Sequence, residues 1–212
     1  TNPGEIAGNG LDDDSNGYAD DMHGWNILDN NANLTDNFGH GTQVAGVIAA
    51  TTNNAKEMAG VCWNCRLMVV KVVQSGGVAN YSDIIAGIEY AHNKGAEIIN
   101  LSLGGYADSL TLRETVEAAS ETTVLVGGAG NDNKETPFYP AAYDAVVAVA
   151  GTDAADQKVD TSNYGAWVDV SAPGAGIRTT FDGGTYGDAS GTSMAVPFVS
   201  GLAGLLRSRH SD

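Results

Sequence analysis

Basic residues are scarce in this chain. Its 212 residues carry 10 Lys and Arg against 26 Asp and Glu, a formal net charge of -16. A negative field of that size disfavours nucleic acid and anionic membranes as partners and favours bound cations. No apolar run approaches the about 20 residues that a membrane helix needs. Two cysteines are too few for a zinc site unless histidines join them. Charged residues make up only 17% and aromatic residues 7%. No signal-peptide pattern opens the chain, and Thr1 in place of Met leads us to expect a segment upstream.

The chain is rich in glycine, with 28 residues, and 42% is hydrophobic, enough for a folded domain with a sizeable core. The pattern alternates strand and helix. Residues 41–52 read as a helix with small residues on one face. Residues 66–73 (RLMVVKVV) read as a strand buried on both faces. Helical spacing follows over 80–93, then a strand at 96–103, a helix at 109–121, and strands at 123–127, 144–150 and 167–171. A small-residue helix spans 192–207. This order predicts an α/β fold of three layers, a mostly parallel twisted sheet with helices on both faces. In such sheets the working site lies beyond the carboxyl ends of the strands.

Three segments carry chemistry. In NFGHGTQVAG, His40 opens a helix, where the positive end of the dipole helps keep its ring neutral, as a general base requires. A capping or core histidine is the plainer alternative. In GTSMAVP, Ser193 stands at a helix start among free backbone N–H groups that could bind an oxyanion, although an N-cap serine would look the same. In VLVGGAGND, Asn131 follows a strand and a glycine loop. It is either a turn residue or an amide donor aimed at an oxyanion. The dinucleotide fingerprint fails because Asn133 stands where its last glycine belongs, and no phosphate loop of the G-x-x-x-x-G-K type occurs.

Taken with INLSLGG at 99–105 and SGTSMAVP at 190–197, these segments resemble the subtilisin-like serine proteases, the subtilases of peptidase family S8, through nearly all of residues 36–207. The resemblance implies a subtilisin-like fold and a secreted serine endopeptidase that hydrolyses peptide bonds through an acyl-enzyme. It implies His40 as general base, Ser193 as nucleophile, and Asn131 with the Ser193 N–H as oxyanion donors. Leu101, Ser102, Leu103, Gly104, Gly128, Ala129 and Gly130 would bind substrate as an added strand and border the P1 pocket. Tyr139-Pro140 resembles a cis-proline position of the family. Two departures stand out. Gln43 replaces the family's second histidine, and no apolar strand ending in Asp-Thr-Gly precedes residue 20. No aspartate is therefore nominated as the triad acid. The expectation is a peptidase domain over 1–212, partial at both ends, weakly active or inactive alone. A non-catalytic peptide-binding pseudoprotease is the alternative, with a nucleotide-binding α/β protein behind it. Expected partners are polypeptide substrates and a propeptide or missing N-terminal segment, with no nucleic acid, no membrane, and a monomeric state.

Residues 1–40 hold eight acids and no Lys or Arg. Within the acidic 1–36 loop region, Asp12 to Asp21 match D-x-[DN]-x-[DN]-G, with oxygen ligands at alternate positions around a glycine turn. The ligand set read for a structural Ca²⁺ is Asp12, Asp14, Asn16, the Tyr18 carbonyl and Asp21. His23 at the twelfth position excludes an EF-hand proper. A solvated acidic turn is the alternative. Cys62-Trp-Asn-Cys65 precedes a strand and not a helix, which disfavours a thioredoxin-like role. A secreted setting points to a local disulfide, free thiols being the other reading. His23, His92 and His210 lack partners at metal spacing and read as surface residues.

Overall fold

The computed structural model describes residues 2–209. Its strands are β1 (Gly24–Asn26), β2 (Val69–Lys71), β3 (Ile98–Leu101), β4 (Val124–Gly128), β5 (Val146–Thr152), β6 (Val170–Pro173), β7 (Ile177–Phe181) and β8 (Thr185–Ala189). Its helices are α1 (His40–Ala49), α2 (Tyr81–Asn93), α3 (Leu110–Ser120) and α4 (Thr192–Arg209). Strands β3-β4-β5-β6 form a parallel sheet in that order. Parallel β1-β2 and the antiparallel hairpin β7-β8 stand apart from it. The expected α/β architecture is therefore present, and α4 lies across β3 to β6 while α2 and α3 pack together on the opposite side.

The core follows from the periodicity of the helices. Ile84, Ile88 and Ala91 of α2 meet Leu112, Val116 and Ala119 of α3 over Ile99, Leu101 and Leu125 of the sheet. On the other face Ala195 and Val196 of α4 cover Val126, Val149 and Ala172. Small residues set the helix approaches. A Cβ on Gly46 would lie 2.6 Å from the Thr179 Oγ1, so α1 can lie directly on β7. The Thr179 and Thr180 hydroxyls seal that contact by donating to the carbonyls of Gln43 (2.6 Å) and Thr42 (2.8 Å). A Cβ on Gly204 would come within 2.6 Å of the Cys65 Sγ, which lets α4 pack on the Cys62–Cys65 disulfide.

One strand differs from the sequence reading. The 66–73 run is not buried on both faces: only Val69–Lys71 is strand, and Leu67, Met68 and Val69 are 38%, 38% and 41% exposed. The reason is pairing. β2 bonds β1 along one edge and does not bond β3, and a cavity of 670 Å³ lies where the two sheets face each other, lined by Val70, Val72, Asn100, Ser102, Val44 and His40. An apolar run reports that a segment wants burial but does not report whether neighbours are there to provide it. His92 is also not a plain surface residue, because its Nδ1 lies 3.2 Å from the Thr123 Oγ1 in a part-buried contact. His23 is exposed, and His210 falls outside the described residues.

Candidate active site

His40 is the first residue of α1. Gly39 before it adopts φ +85°, a left-handed conformation that glycine reaches without strain, and it supplies no side-chain cap. Asp36 does that work from three residues upstream. Its carboxylate accepts from the N–H of Phe38 (3.1 Å), Gly39 (2.7 Å) and Thr42 (2.8 Å) and from the Thr42 hydroxyl (2.7 Å). Burial by itself would raise the Asp36 carboxyl. The bonds from the Thr42 hydroxyl and the three N–H groups outweigh it and hold the acid below its usual range. Burial pushes the His40 ring below the ordinary histidine value, and the Asp36 charge opposes this only in part. A neutral ring at neutral pH is what a general base needs. Among the described residues no carboxylate hydrogen-bonds His40, so Asp36 shapes the helix start and does not orient the imidazole.

Ser193 is the second residue of α4, whose start is tied to the loop after β4. The Thr192 N–H donates to the Asn131 Oδ1 (2.8 Å), and the Gly130 N–H donates to the Thr192 hydroxyl (3.2 Å). The first bond fixes which way the Asn131 amide faces: its oxygen is used, and its Nδ2 donates to no protein group among the described residues. The Ser193 N–H has no partner there either, as expected in the first turn of a helix. Two donors of residues that line one cavity are thus unclaimed. The Ser193 hydroxyl donates weakly to the Ser102 carbonyl (3.4 Å), and the Ser102 hydroxyl donates to the Ser193 carbonyl (3.0 Å), joining the end of β3 to the start of α4. No hydrogen bond joins Ser193 to His40.

His40, Asn131 and Ser193 line one cavity of 410 Å³, although they come from three distant stretches of chain. Ser102, Leu103, Gly104, Gly128 and Gly130 share its wall. Leu101 and Ala129 do not: they are 5% and 0% exposed, and Leu101 packs in the core with Leu112 and Val116. Phe138, which the sequence reading passed over, also lines the cavity. The Tyr139-Pro140 peptide bond is cis.

The acidic N-terminal region brings Glu5, a residue outside the sequence pattern, to Asp12 and Asp14 of that pattern. Oxygens of Glu5, Asp12 and Asp14 lie within 4.8 Å of one another. Glu5 is 6% exposed and accepts from the N–H of Asp14 (3.4 Å) and Asp20 (2.9 Å). Asp21 borders this group: the Asn2 amide donates to both Asp14 (3.0 Å) and Asp21 (2.6 Å), and the Asn16 amide donates to Asp21 (3.3 Å), while Asp21 also accepts from the Tyr90 hydroxyl (2.9 Å) and pairs with Lys94 at 3.3 Å. The Asn16 Oδ1 accepts from the Tyr18 N–H (2.8 Å). Glu5 lies seven residues before the repeat, and no spacing rule would have found it. A buried carboxylate converging with two others, with no Lys or Arg paired to any of the three among the described residues, is a set of hard oxygen donors that fits a divalent cation such as Ca²⁺.

Comparison with known proteins points one way. The sequence profile of the subtilase family matches residues 5–212. The chain is 46% identical over 189 residues to a thermophilic serine proteinase of Bacillus sp. (strain AK1), a match covering 89% of this chain and 47% of that protein. It is 42% identical over 187 residues to thermitase of Thermoactinomyces vulgaris, covering 88% and 67%. Among solved structures, a cold adapted subtilisin-like serine proteinase matches with a TM-score of 0.81 at 33% identity, covering 88% of this chain and 67% of that one.

Proposed function

Since the chain belongs to the subtilase family, we propose that it supplies the nucleophile, base and oxyanion donors of a secreted serine endopeptidase. It spans 47% of the Bacillus proteinase and 67% of thermitase, so the reading is of this part of such an enzyme. The observation that carries it is the convergence of His40, Asn131 and Ser193 on one cavity, with the Asn131 Nδ2 and the Ser193 N–H unclaimed. In this reading the Ser193 Oγ attacks the scissile carbonyl carbon while its proton passes to the His40 ring. The tetrahedral oxyanion receives the two free N–H donors. Collapse breaks the C–N bond, His40 returns the proton to the leaving amine, and water repeats the sequence in reverse to free Ser193. Ser102 to Gly104 and Gly128 to Gly130 would hold an extended polypeptide by main-chain bonds, which suits unfolded substrates of broad sequence.

Hydrolysis by these residues alone is slow in this account, because no carboxylate fixes the His40 tautomer. Loss of such an acid costs about 3 × 10⁴-fold in kcat, a magnitude that comes from this family's own enzymes. A strand ending in aspartate, seated between β2 and β3, would fit the 670 Å³ cavity that His40 also lines. A structural Ca²⁺ on Glu5, Asp12 and Asp14, and secretion, complete the proposal. The Cys62–Cys65 disulfide suits an oxidising compartment. No helix among the described residues is long and apolar enough to cross a membrane. The test is phosphonylation by a fluorophosphonate: the account expects one adduct per chain on Ser193, absent from Ser193→Ala. A chain that takes no label would favour a peptide-binding pseudoprotease.

A further inference from the structure

Two glycines flank the cavity beside Ser193, and one aromatic ring lies against both. A Cβ on Gly104 would collide with the Tyr139 carbonyl oxygen and lie 2.6 Å from the Cε1 of Phe138. A Cβ on Gly130 would lie 3.1 Å from the Cδ2 of the same ring. The space that two missing side chains leave between the 102–104 and 128–130 segments is therefore taken up by Phe138, which is itself half-buried and lines the cavity.

The ring is held in place. The Tyr106 ring meets it edge-on, with centroids 5.1 Å apart and planes at 78°. Tyr106 is anchored in turn by its hydroxyl, which donates to Asp132 and accepts from the Asn163 Nδ2 at 3.1 Å. Asn163 is fully buried and also donates to the Ala129 carbonyl (2.8 Å). On the other side, Gly105 and Tyr139 exchange backbone hydrogen bonds of 2.8 and 2.7 Å, which pins the main chain next to Phe138. A large side chain could enter only by displacing a ring braced from both directions, and close-packed groups of this kind do not yield cheaply.

We propose that Phe138 is the specificity-determining floor of the pocket next to Ser193, and that it restricts the residue before the scissile bond to small side chains such as Ala, Ser or Gly. This rests on the protease reading above. An open apolar slot would reward each methylene of a P1 side chain by roughly 10–200-fold. Phe138 reverses the sign.

The test uses two tetrapeptide boronic acids identical except for P1, alanine against phenylalanine. Dissociation constants come from calorimetry, and ¹¹B NMR reports the tetrahedral adduct formed when the Ser193 Oγ bonds to boron. The expected result is an adduct for the alanine compound and binding at least about tenfold tighter than for the phenylalanine compound. Equal binding, or tighter binding of the phenylalanine compound, with the adduct present overturns the role of Phe138 and leaves the protease reading standing. No adduct with either compound overturns both. In Phe138→Ala the phenylalanine compound should gain about tenfold or more relative to alanine, and an unchanged ratio in the folded variant counts against the proposal. The wild-type ratio decides the matter even where that variant does not fold.

Discussion

Asp36→Ala should weaken the start of α1 before it touches anything else. The substitution removes an acceptor that takes four hydrogen bonds, from the N–H of Phe38, Gly39 and Thr42 and from the Thr42 hydroxyl. Each bond to a charged group contributes about 1.5–3 kcal/mol when fully buried, but Asp36 is only half-buried and water can reach the freed donors. The expected loss is therefore close to that of a strong helix cap, about 2 kcal/mol. Urea unfolding at pH 7 measures it. The carboxyl is held below its ordinary value of 3.8 in the folded chain, so its stabilisation is complete above about pH 4 and fades as pH falls through the lower folded value. The gap between wild type and variant should narrow below pH 4. The same change removes the charge that raises the His40 ring, so the His40 titration followed by NMR should move further down. Equal stabilities at pH 7, or a gap that persists unchanged into acid, would refute the assignment of Asp36 as cap.

Further outcomes follow from other contacts. Chelation with EDTA should lower the thermal midpoint of the wild type, and Glu5→Gln should lower it and blunt the response to EDTA, since Glu5 is the buried member of the carboxylate cluster; a midpoint indifferent to EDTA would favour a solvated acidic turn. Gly204→Ala should destabilise by about 1–3 kcal/mol, because its Cβ would press on the Cys65 sulfur at 2.6 Å, and calorimetry reads this directly. Leu112→Ala, at a fully buried position between α2, α3 and the sheet, should cost about 2–5 kcal/mol in urea unfolding.

Much of this molecule could be read from its residues, because several segments carry signals of more than one kind. The helix 192–207 and the strands around Leu125, Val149 and Ile99 combine periodicity, punctuation and neighbouring chemistry, and α4, β4, β5 and β3 lie there. The hairpin β7-β8 escaped notice because IRTTFDGGTYGDA alternates too weakly to register as two strands; its inward Thr179 is polar and satisfied by the Gln43 carbonyl. β1 escaped because it is three residues long. The site divides along the same line. His40, Ser193 and Asn131 sit in compact motifs and could be nominated one by one. Phe138 lies against Gly104 and Gly130, and Glu5 beside Asp12 and Asp14, and sequence distance conceals both. Asp21 also meets partners that sequence distance conceals, since Tyr90 and Lys94 bind its carboxylate from far along the chain.

Acylation by p-nitrophenyl acetate tests the central claim most directly. The account predicts release of one p-nitrophenol per chain, an acetyl group located by mass spectrometry on Ser193, and a rate that falls in acid with a midpoint below the ordinary histidine value of 6.5, as the buried His40 ring requires. His40→Ala should abolish that pH dependence and slow the step by about 10²–10⁴-fold. An acetyl group on another residue, or a rate indifferent to both pH and His40, would contradict it.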